Sequence, residues 1–349
     1  MRDASTPFDM TENRKAYARA GVDVDLGNKL KRRIQTLVRQ THGLQVLGKI
    51  GGFGGLFAPN FSGVREPILV ASIDGVGTKL KIAFAMNKHD TIGADLLNHC
   101  VNDVAVLGAQ PLFFLDYIGC DRLEPKVFRQ LLRGLSRACR LAGCALLGGE
   151  TAQMPGMYRK GEYDLAGCIV GMIDRARIID GGNIKPGDVI LGLASNGLHT
   201  NGYSLARKIL LEKMGLKVSS HLPESNVTVG EELLRVHKNY QQLLAKVPSG
   251  IIKGLAHITG GGLIDNLPRI LPKSCDAVID TKSWRVPPIF QILQRNGNVD
   301  PAEMYQVFNM GIGMVAIVSE GDVPRTMSIL KARQIGRTEL GNGKTNLVF

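Results

Sequence analysis

The segment SIDGVGTKLKIA, residues 72–83, places an aspartate, two glycines and a Thr-Lys pair at the end of an apolar run. These residue types handle phosphate. A carboxylate can hold a divalent cation, glycine lets the backbone approach closely, and an ammonium meets phosphoryl charge. The spacing is not that of the phosphate loop G-x-x-x-x-G-K-[ST]. A nucleotide site of another design and a tight turn after a strand both fit these letters.

Further on, Asp95, Asn98, His99, Asn102 and Asp103 recur at helical spacing and share one face. Ile92, Leu96, Cys100, Val104 and Leu107 share another. The polar stripe contains no Lys, Arg or Gln. Hard oxygen ligands converging from several elements suit Mg²⁺ bridging phosphates. A solvated helix face fits the stripe equally well. GGET, residues 148–151, adds Glu150 after a strand and two glycines, either as a further ligand or as an exposed turn residue. GGFGG, residues 51–55, resembles a linker, but Phe53, Leu56 and Phe57 are too apolar for a solvated one. A lid closing over phosphates is the functional alternative.

Two later loops have a common style. SNGLHTNGYS, residues 195–204, and HITGGGL, residues 257–263, each join hydroxyls or glycines to a histidine ahead of a helix. Both could aim backbone N–H groups at an anion. An N-cap with a turn is the simpler reading of each, and a structural histidine the simpler reading of His199 or His257 alone. Neither G-x-S-x-G nor H-E-x-x-H occurs, and no dinucleotide fingerprint forms.

These loops need a scaffold, and the pattern supplies one. Strands are expected at EPILVASID, PLFFLDYIG, CALLGGETA, YDLAGCIVGMI, at residues 188–194 and at GIGMVAIV. Helices are expected over residues 27–40, at TIGADLLNHCVNDVAVLGA, over residues 125–141 behind Pro125, at NGYSLARKILLEKM, at EELLRVHKNYQQLLAKV, after the glycines at 260–262, and at VPPIFQILQRNG. Strands and helices alternate in both halves, so the class is α/β. The text changes character near Asp174, which places a boundary between domains 1–174 and 175–349.

The bulk figures agree. The 349 residues suit two domains. Forty-two glycines cluster without a period, which excludes collagen and low complexity. The net charge of +12 asks for an anionic partner. No nucleic-acid motif is present and aromatic residues are only 5%, which favours phosphorylated small molecules over nucleic acid. Six cysteines without a C-x-x-C pair read as reduced thiols. No apolar h-region or membrane-length apolar stretch occurs, so a soluble cytoplasmic protein is expected.

At this point the residues resemble a family. SIDGVGTKLKIA, NDVAVLGAQPLFFLDY, GGETAQMPGMY, SNGLHTNGYSLAR, HITGGGLIDNLPR and FNMGIGMV look like phosphoribosylformylglycinamidine cyclo-ligase, in the family's order and across nearly the whole chain from AYARAGVDVD onward. Gln153 stands where the family has Glu, and Asp265 where Glu is common. The resemblance implies a two-domain ATP-dependent synthetase fold. Its N-terminal mixed-sheet domain dimerises, and a C-terminal α/β domain follows. It implies ATP and Mg²⁺, a small phosphorylated substrate, a homodimer, and no nucleic-acid or membrane partner. The implied reaction closes the imidazole ring of formylglycinamidine ribonucleotide through a phosphorylated imidate.

Roles follow as expectations. Asp74, Asp95, Asp103 and Glu150 would hold Mg²⁺. Gly52, Phe53, Gly54, Gly55, Gly75, Thr78, Asn102 and Thr151 would join them around ATP, with Lys79 neutralising the transferring phosphoryl group. Ser195, Asn196, His199, Thr200, Asn201, Thr259, Gly260, Gly261 and Gly262 would hold substrate. His199 and His257 would move protons or stabilise the intermediate. Selenophosphate synthetase, a relative, would need a reactive Cys or selenocysteine near GGFGG, and none is there. The amidotransferase of the preceding step matches GGETAQMPGMY less completely. A regulatory nucleotide-binding module that has lost catalysis is the reading from outside enzymology. The intact acidic and histidine positions argue against it.

Overall fold

A computed structural model describes residues 15–48 and 50–349. The first part of the chain forms helices α1 (Ala16–Arg19), α2 (Val24–Arg39), α3 (Leu80–Met86), α4 (Ile92–Ala105) and α5 (Pro125–Ala142) around four strands. These are β1 (Pro67–Gly75), β2 (Gln110–Cys120), β3 (Ala145–Gln153) and β4 (Tyr163–Asp174), in sheet order β1-β4-β2-β3. β4 is antiparallel to β1 and β2, and β2 is parallel to β3, so the sheet is mixed.

β4 alternates buried and more open residues along its length, the signature of a sheet covered on one side. α4 and α5 supply the cover. They pack close because Gly93 and Gly134 face each other's helix: a Cβ on Gly93 would stand 2.6 Å from the Leu135 nitrogen. α5 starts on Pro125 and ends at Gly143, whose φ of 68° supplies the left-handed cap. Among the described residues nothing covers the opposite sheet face, which exposes Leu69, Ile73, Leu115 and Tyr117.

The second part holds β5 (Val189–Ala194), β6 (Ile252–His257), β7 (Cys275–Asp280), β8 (Ile312–Val318), β9 (Arg333–Leu340) and β10 (Thr345–Val348). Their order is β10-β7-β9-β5-β8-β6. β8 is buried at every residue, which fits a continuous apolar strand covered on both faces. Helices α6 (Tyr203–Arg207), α7 (Val229–Leu233), α8 (Gln241–Leu244), α9 (Gly262–Asn266), α10 (Pro288–Gly297), α11 (Pro301–Val307) and α12 (Val323–Leu330) surround this sheet. The class is mixed α/β, as the alternation predicts. No helix among the described residues is long and apolar enough to cross a membrane.

The expected long helix over residues 231–247 does not form. α7 begins with a Thr228–Glu231 capping box but stops at Leu233, and residues 234–240 run as an irregular strap to α8. Side chains have taken the backbone groups that a helix would pair. The carbonyls of Arg235, Val236, His237 and Lys238 accept from Lys79, Asn196, Asn98 and Asn102. The N–H groups of His237 and Tyr240 donate to Asp95 and Asn102. With these groups satisfied, the strap keeps an extended course despite its helical periodicity. It binds the second part of the chain to α4 of the first.

Candidate active site

The C-terminal part of β1, the stripe on α4, the loop after β5, the end of β6 and the turn and helix that follow it meet around a cleft of about 580 Å³. Asp74, His99, Asp103, Asn201, His257, Thr259, Gly260 and Arg269 line it.

A chain of polar groups runs behind the cleft wall. Asp74 Oδ2 lies 2.8 Å from His99 Nε2. His99 Nδ1 lies 2.8 Å from Thr200 Oγ1, which is 3.2 Å from His237 Nδ1. His237 Nε2 faces His257 Nε2 at 2.9 Å, and His257 Nδ1 meets Asp103 Oδ1 at 2.8 Å. Ser72 Oγ donates to Asp103 Oδ2 at 3.1 Å. The chain therefore starts and ends on carboxylates and crosses between the two halves of the molecule.

Proton counting constrains its charge. The five links from Asp74 to Asp103 need five protons, because both carboxylates only accept. Three neutral imidazoles and one hydroxyl supply four, so full pairing requires one imidazolium. His99 is the natural holder. Burial opposes its charge, but the Asp74 hydrogen bond and the charges of Asp74 and Asp103 raise its pKa above the usual value. Burial drives His237 well below its ordinary pKa, and burial also lowers His257. Asp74 and Asp103 are held below the ordinary carboxylate range: burial opposes this, but their histidine partners outweigh it. Both are ionised and reach solvent, with side-chain exposures of 43% and 27%.

Several expected site residues lie elsewhere. Lys79 is 0% exposed, and its three protons go to Asp95 Oδ1 at 2.8 Å, His199 O at 3.1 Å and Arg235 O at 2.6 Å. It cannot reach a phosphoryl group from this position. Asp95 is equally buried, so it anchors Lys79 and the strap and offers no ligand to the cleft. Asn102 likewise spends its amide on the strap. His199 is 1% exposed and stacks on His237 at 4.2 Å, away from the cleft. Its φ of 63° turns the chain so that its carbonyl faces Lys79. Ser195 and Asn196 bond Asn309 and Val236 and hold the loop itself. Thr78 is exposed and pairs with Ser204 across the two halves at 3.1 Å.

Glu150 does not join Asp74. β1 and β3 run the same way, so both residues sit at the same edge of the sheet. In register, however, Asp74 pairs Gly167, Gly167 pairs Asp116, and Asp116 pairs Gly149. Three strand spacings of about 4.8 Å separate β1 from β3. Glu150 is exposed and turns back onto the Thr151 N–H at 2.7 Å. Gly52, Phe53, Gly54 and Gly55 are exposed near this same β3 edge, where Gly55 abuts Leu147.

The glycine turn after β6 is built for close approach. Gly261 and Gly262 have φ of 92° and 58°. Asn266 Nδ2 donates to the carbonyls of Gly260 and Gly262, holding Thr259 and Gly260 at the cleft. Two participants escape sequence reasoning. His237 lies inside a stretch patterned as a helix. Arg269, exposed at the cleft, sits seven residues past the last glycine in LPR, a weak basic signal.

Two family models match the chain: the AIR synthase related protein N-terminal domain over residues 64–173, and the corresponding C-terminal domain over residues 185–345. A phosphoribosylformylglycinamidine cyclo-ligase from Syntrophotalea carbinolica is 52% identical over 320 residues, 91% of each chain. The chain belongs to the phosphoribosylformylglycinamidine cyclo-ligase family. A cyclo-ligase of Trichlorobacter lovleyi is 50% identical over 322 residues, 92% of each chain. Members of this cyclo-ligase family are enzymes of the ligase class, and so is this chain. The fold reaches further than the family. Thiamine-monophosphate kinase from Stenotrophomonas maltophilia K279a superposes with a TM-score of 0.67 at 17% identity, covering 93% of this chain and 96% of that one. Hydrogenase maturation protein HypE, solved in complex with ATP, gives 0.64 at 18% identity and 90% of each chain.

Proposed function

We propose that the chain closes the imidazole ring of formylglycinamidine ribonucleotide, consuming ATP and releasing aminoimidazole ribonucleotide, ADP and phosphate in purine biosynthesis. The observation that carries this reading is the 52% identity to a cyclo-ligase over nine-tenths of both chains. The cleft between the two halves is its physical counterpart. ATP as co-substrate also draws support from the ATP complex of HypE.

The chemistry asks for positioning and charge neutralisation. The formyl oxygen of the substrate is a poor leaving group. Its attack on the γ-phosphorus of ATP forms an O–P bond, breaks the bond to the β–γ bridging oxygen and frees ADP. An amidine nitrogen then attacks the formyl carbon, and phosphate departs with the former formyl oxygen. Most of the acceleration comes from holding these groups together and stabilising phosphoryl charge.

Asp74 and Asp103 suit Mg²⁺: both are ionised, both are accessible, and each oxygen retains a lone pair beyond its histidine, serine or backbone bond. Bound there, Mg²⁺ would neutralise the polyphosphate. His99 holds the Asp74 carboxylate in place, and Ser72 with His257 holds Asp103. His99 and His257 both line the cleft; His257, the proton-exchanging histidine of this reading, has to release Asp103 or His237 to meet substrate. Thr259, Gly260, Asn201 and Arg269 offer hydroxyl, backbone, amide and guanidinium donors for the ribose and phosphate of the ribonucleotide.

The bare apolar face bearing Leu69, Ile73, Leu115 and Tyr117 supports a homodimer through the first sheet. The Gly52–Gly55 loop, Glu150 and Thr151 would then contact the nucleotide from the partner chain, since within one chain they stand three strands from Asp74. In this reading residues 1–174 form the nucleotide and dimerisation domain, residues 175–349 the substrate domain, and the enzyme works in the cytoplasm. Asp74→Asn tests the cleft assignment. Ring closure should fall by several orders of magnitude while the circular dichroism spectrum and melting temperature stay unchanged. Normal turnover by that variant would remove Asp74 from the site.

A further inference from the structure

Three imidazoles converge behind the cleft wall. His199, His237 and His257 each bring one ring nitrogen to within 4.8 Å of the other two. They are 1%, 0% and 6% exposed. Neither ring nitrogen of His199 has a hydrogen-bond partner among the described residues. Buried polar atoms nearly always find one, so an unpartnered imidazole beside two others points to a ligand between them.

His199 stacks on His237 with ring planes 25° apart, so its ring has to turn before a nitrogen points at a shared cation, whereas the other two rings are already anchored. His257 Nδ1 is fixed by Asp103 Oδ1 at 2.8 Å, and His237 Nδ1 by Thr200 Oγ1 at 3.2 Å. Metal-binding histidines are commonly held this way, with one nitrogen on an oxygen partner and the other directed at the cation. The two Nε2 atoms, now hydrogen-bonded to each other, stand 2.9 Å apart. Nitrogens bound tetrahedrally to Zn²⁺ at about 2.0–2.1 Å are spaced about 3.3 Å apart, so these need to separate by only a few tenths of an ångström. The trio offers nitrogen alone, which selects a late first-row cation over Mg²⁺.

We propose that His199, His237 and His257 bind a late first-row transition-metal cation of the Zn²⁺ type, at a site distinct from the Asp74–Asp103 carboxylates. Such a cation enters from the cleft, because His257 forms part of its wall. It ties the strap to the loop after β5 and to the end of β6, replacing the single proton now shared by His237 and His257. Asn102 Nδ2, 3.5 Å from His257 Nε2, gives up that long contact and keeps its 2.8 Å bond to Lys238 O. The nearby Lys79 ammonium opposes a cation, but it is already paired with Asp95, and Asp103 supplies negative charge through His257.

The test is a Co²⁺ titration of the full-length, chelator-treated chain, read by the visible absorption that intensifies when Co²⁺ becomes four-coordinate. One equivalent per chain should produce the band, and a large excess of Mg²⁺ should leave it unchanged. His237→Gln and His199→Asn should each abolish it, and Asp103→Asn should weaken binding by about 10–100-fold. His221→Gln, an exposed histidine outside the cluster, should leave it intact. No stoichiometric band in the unsubstituted chain overturns the proposal, whatever the variants do. So does a band that survives in folded His237→Gln and His199→Asn. Displacement by Mg²⁺ also refutes it, by assigning the cation to the carboxylates of the cleft.

Discussion

Lys79→Met separates two roles for a lysine that sequence and structure read differently. In the sequence it follows Asp74 in DGVGTK and reads as a phosphoryl-neutralising group. In the structure it is the buried centre of an ion pair joining the two halves of the chain. Its side chain and that of Asp95 are both 0% exposed. Burial pushes the Lys79 ammonium below its ordinary pKa and the Asp95 carboxyl above its own, so desolvation outweighs their attraction. Removing one partner should therefore cost far more than removing both charges. Among the described residues, Lys79→Met leaves Asp95 with only the His237 N–H on Oδ1 and nothing on Oδ2. It also strands the carbonyls of His199 and Arg235. A buried charge left unpaired costs about 3–5 kcal/mol. In Lys79→Met/Asp95→Asn no charge remains, the amide oxygen still accepts from His237, and its NH₂ can serve a stranded carbonyl. The double variant should recover about 2 kcal/mol, a coupling typical of groups in one network. Urea denaturation of the four proteins in the cycle, followed by near-ultraviolet circular dichroism, measures both quantities. A Lys79→Met variant with unchanged denaturation midpoint and abolished turnover would refute this reasoning and restore the phosphoryl role.

The remaining predictions concern other elements. Burial pushes the Asp116 carboxyl from 3.8 up to about 7 in the fold. A folded pKa raised above the unfolded one gives stability that is full below about pH 4 and lost as pH rises through 7. Urea denaturation across that window should show Asp116→Asn gaining on the unsubstituted chain toward pH 7, with parallel curves counting against the assignment. Gly134→Ala sets a Cβ against the Asp90 carbonyl at the α4–α5 contact and should lower stability by about 1–3 kcal/mol in the same assay. Ile73, 72% exposed on the bare sheet face, should be covered in a dimer. Ile73→Arg should then run as a monomer in analytical ultracentrifugation where the unsubstituted chain runs as a dimer, and unaltered sedimentation would remove that face from any interface.

The elements whose pattern and surroundings agree were legible from the sequence. Alternating YDLAGCIVGMI became β4, the fully apolar GIGMVAIV became β8, and the Pro125 start with a glycine stop became α5. The helix expected at 231–247 failed because its backbone partners are distant in sequence: Asn196 lies 40 positions away, and Lys79, Asn98 and Asn102, on α4 and the approach to α3, lie more than a hundred away. No local pattern records them. The same distance hid the burial of Lys79 and Asp95, which look like ordinary charged residues until the strap closes over them. Asp74, Asp103 and His257 were found because strand ends and helical spacing bring them together with few assumptions. Glu150 was expected beside them because it too follows a strand. The strand end was right, but the order β1-β4-β2-β3 is a property of the tertiary fold, and it places Glu150 on the far side of the sheet. His99 and His237 carry the chain linking the carboxylates. Only His99 had a visible helical face to place it.

The central claim is that this chain joins ATP cleavage to closure of one particular ring. The direct test measures ADP release by the purified protein with Mg-ATP, with and without formylglycinamidine ribonucleotide, while aminoimidazole ribonucleotide is followed in the same sample. ADP should be negligible without the ribonucleotide, and one aminoimidazole ribonucleotide should form per ADP with it. ADP release indifferent to the ribonucleotide, or none in its presence from folded protein, would contradict the account.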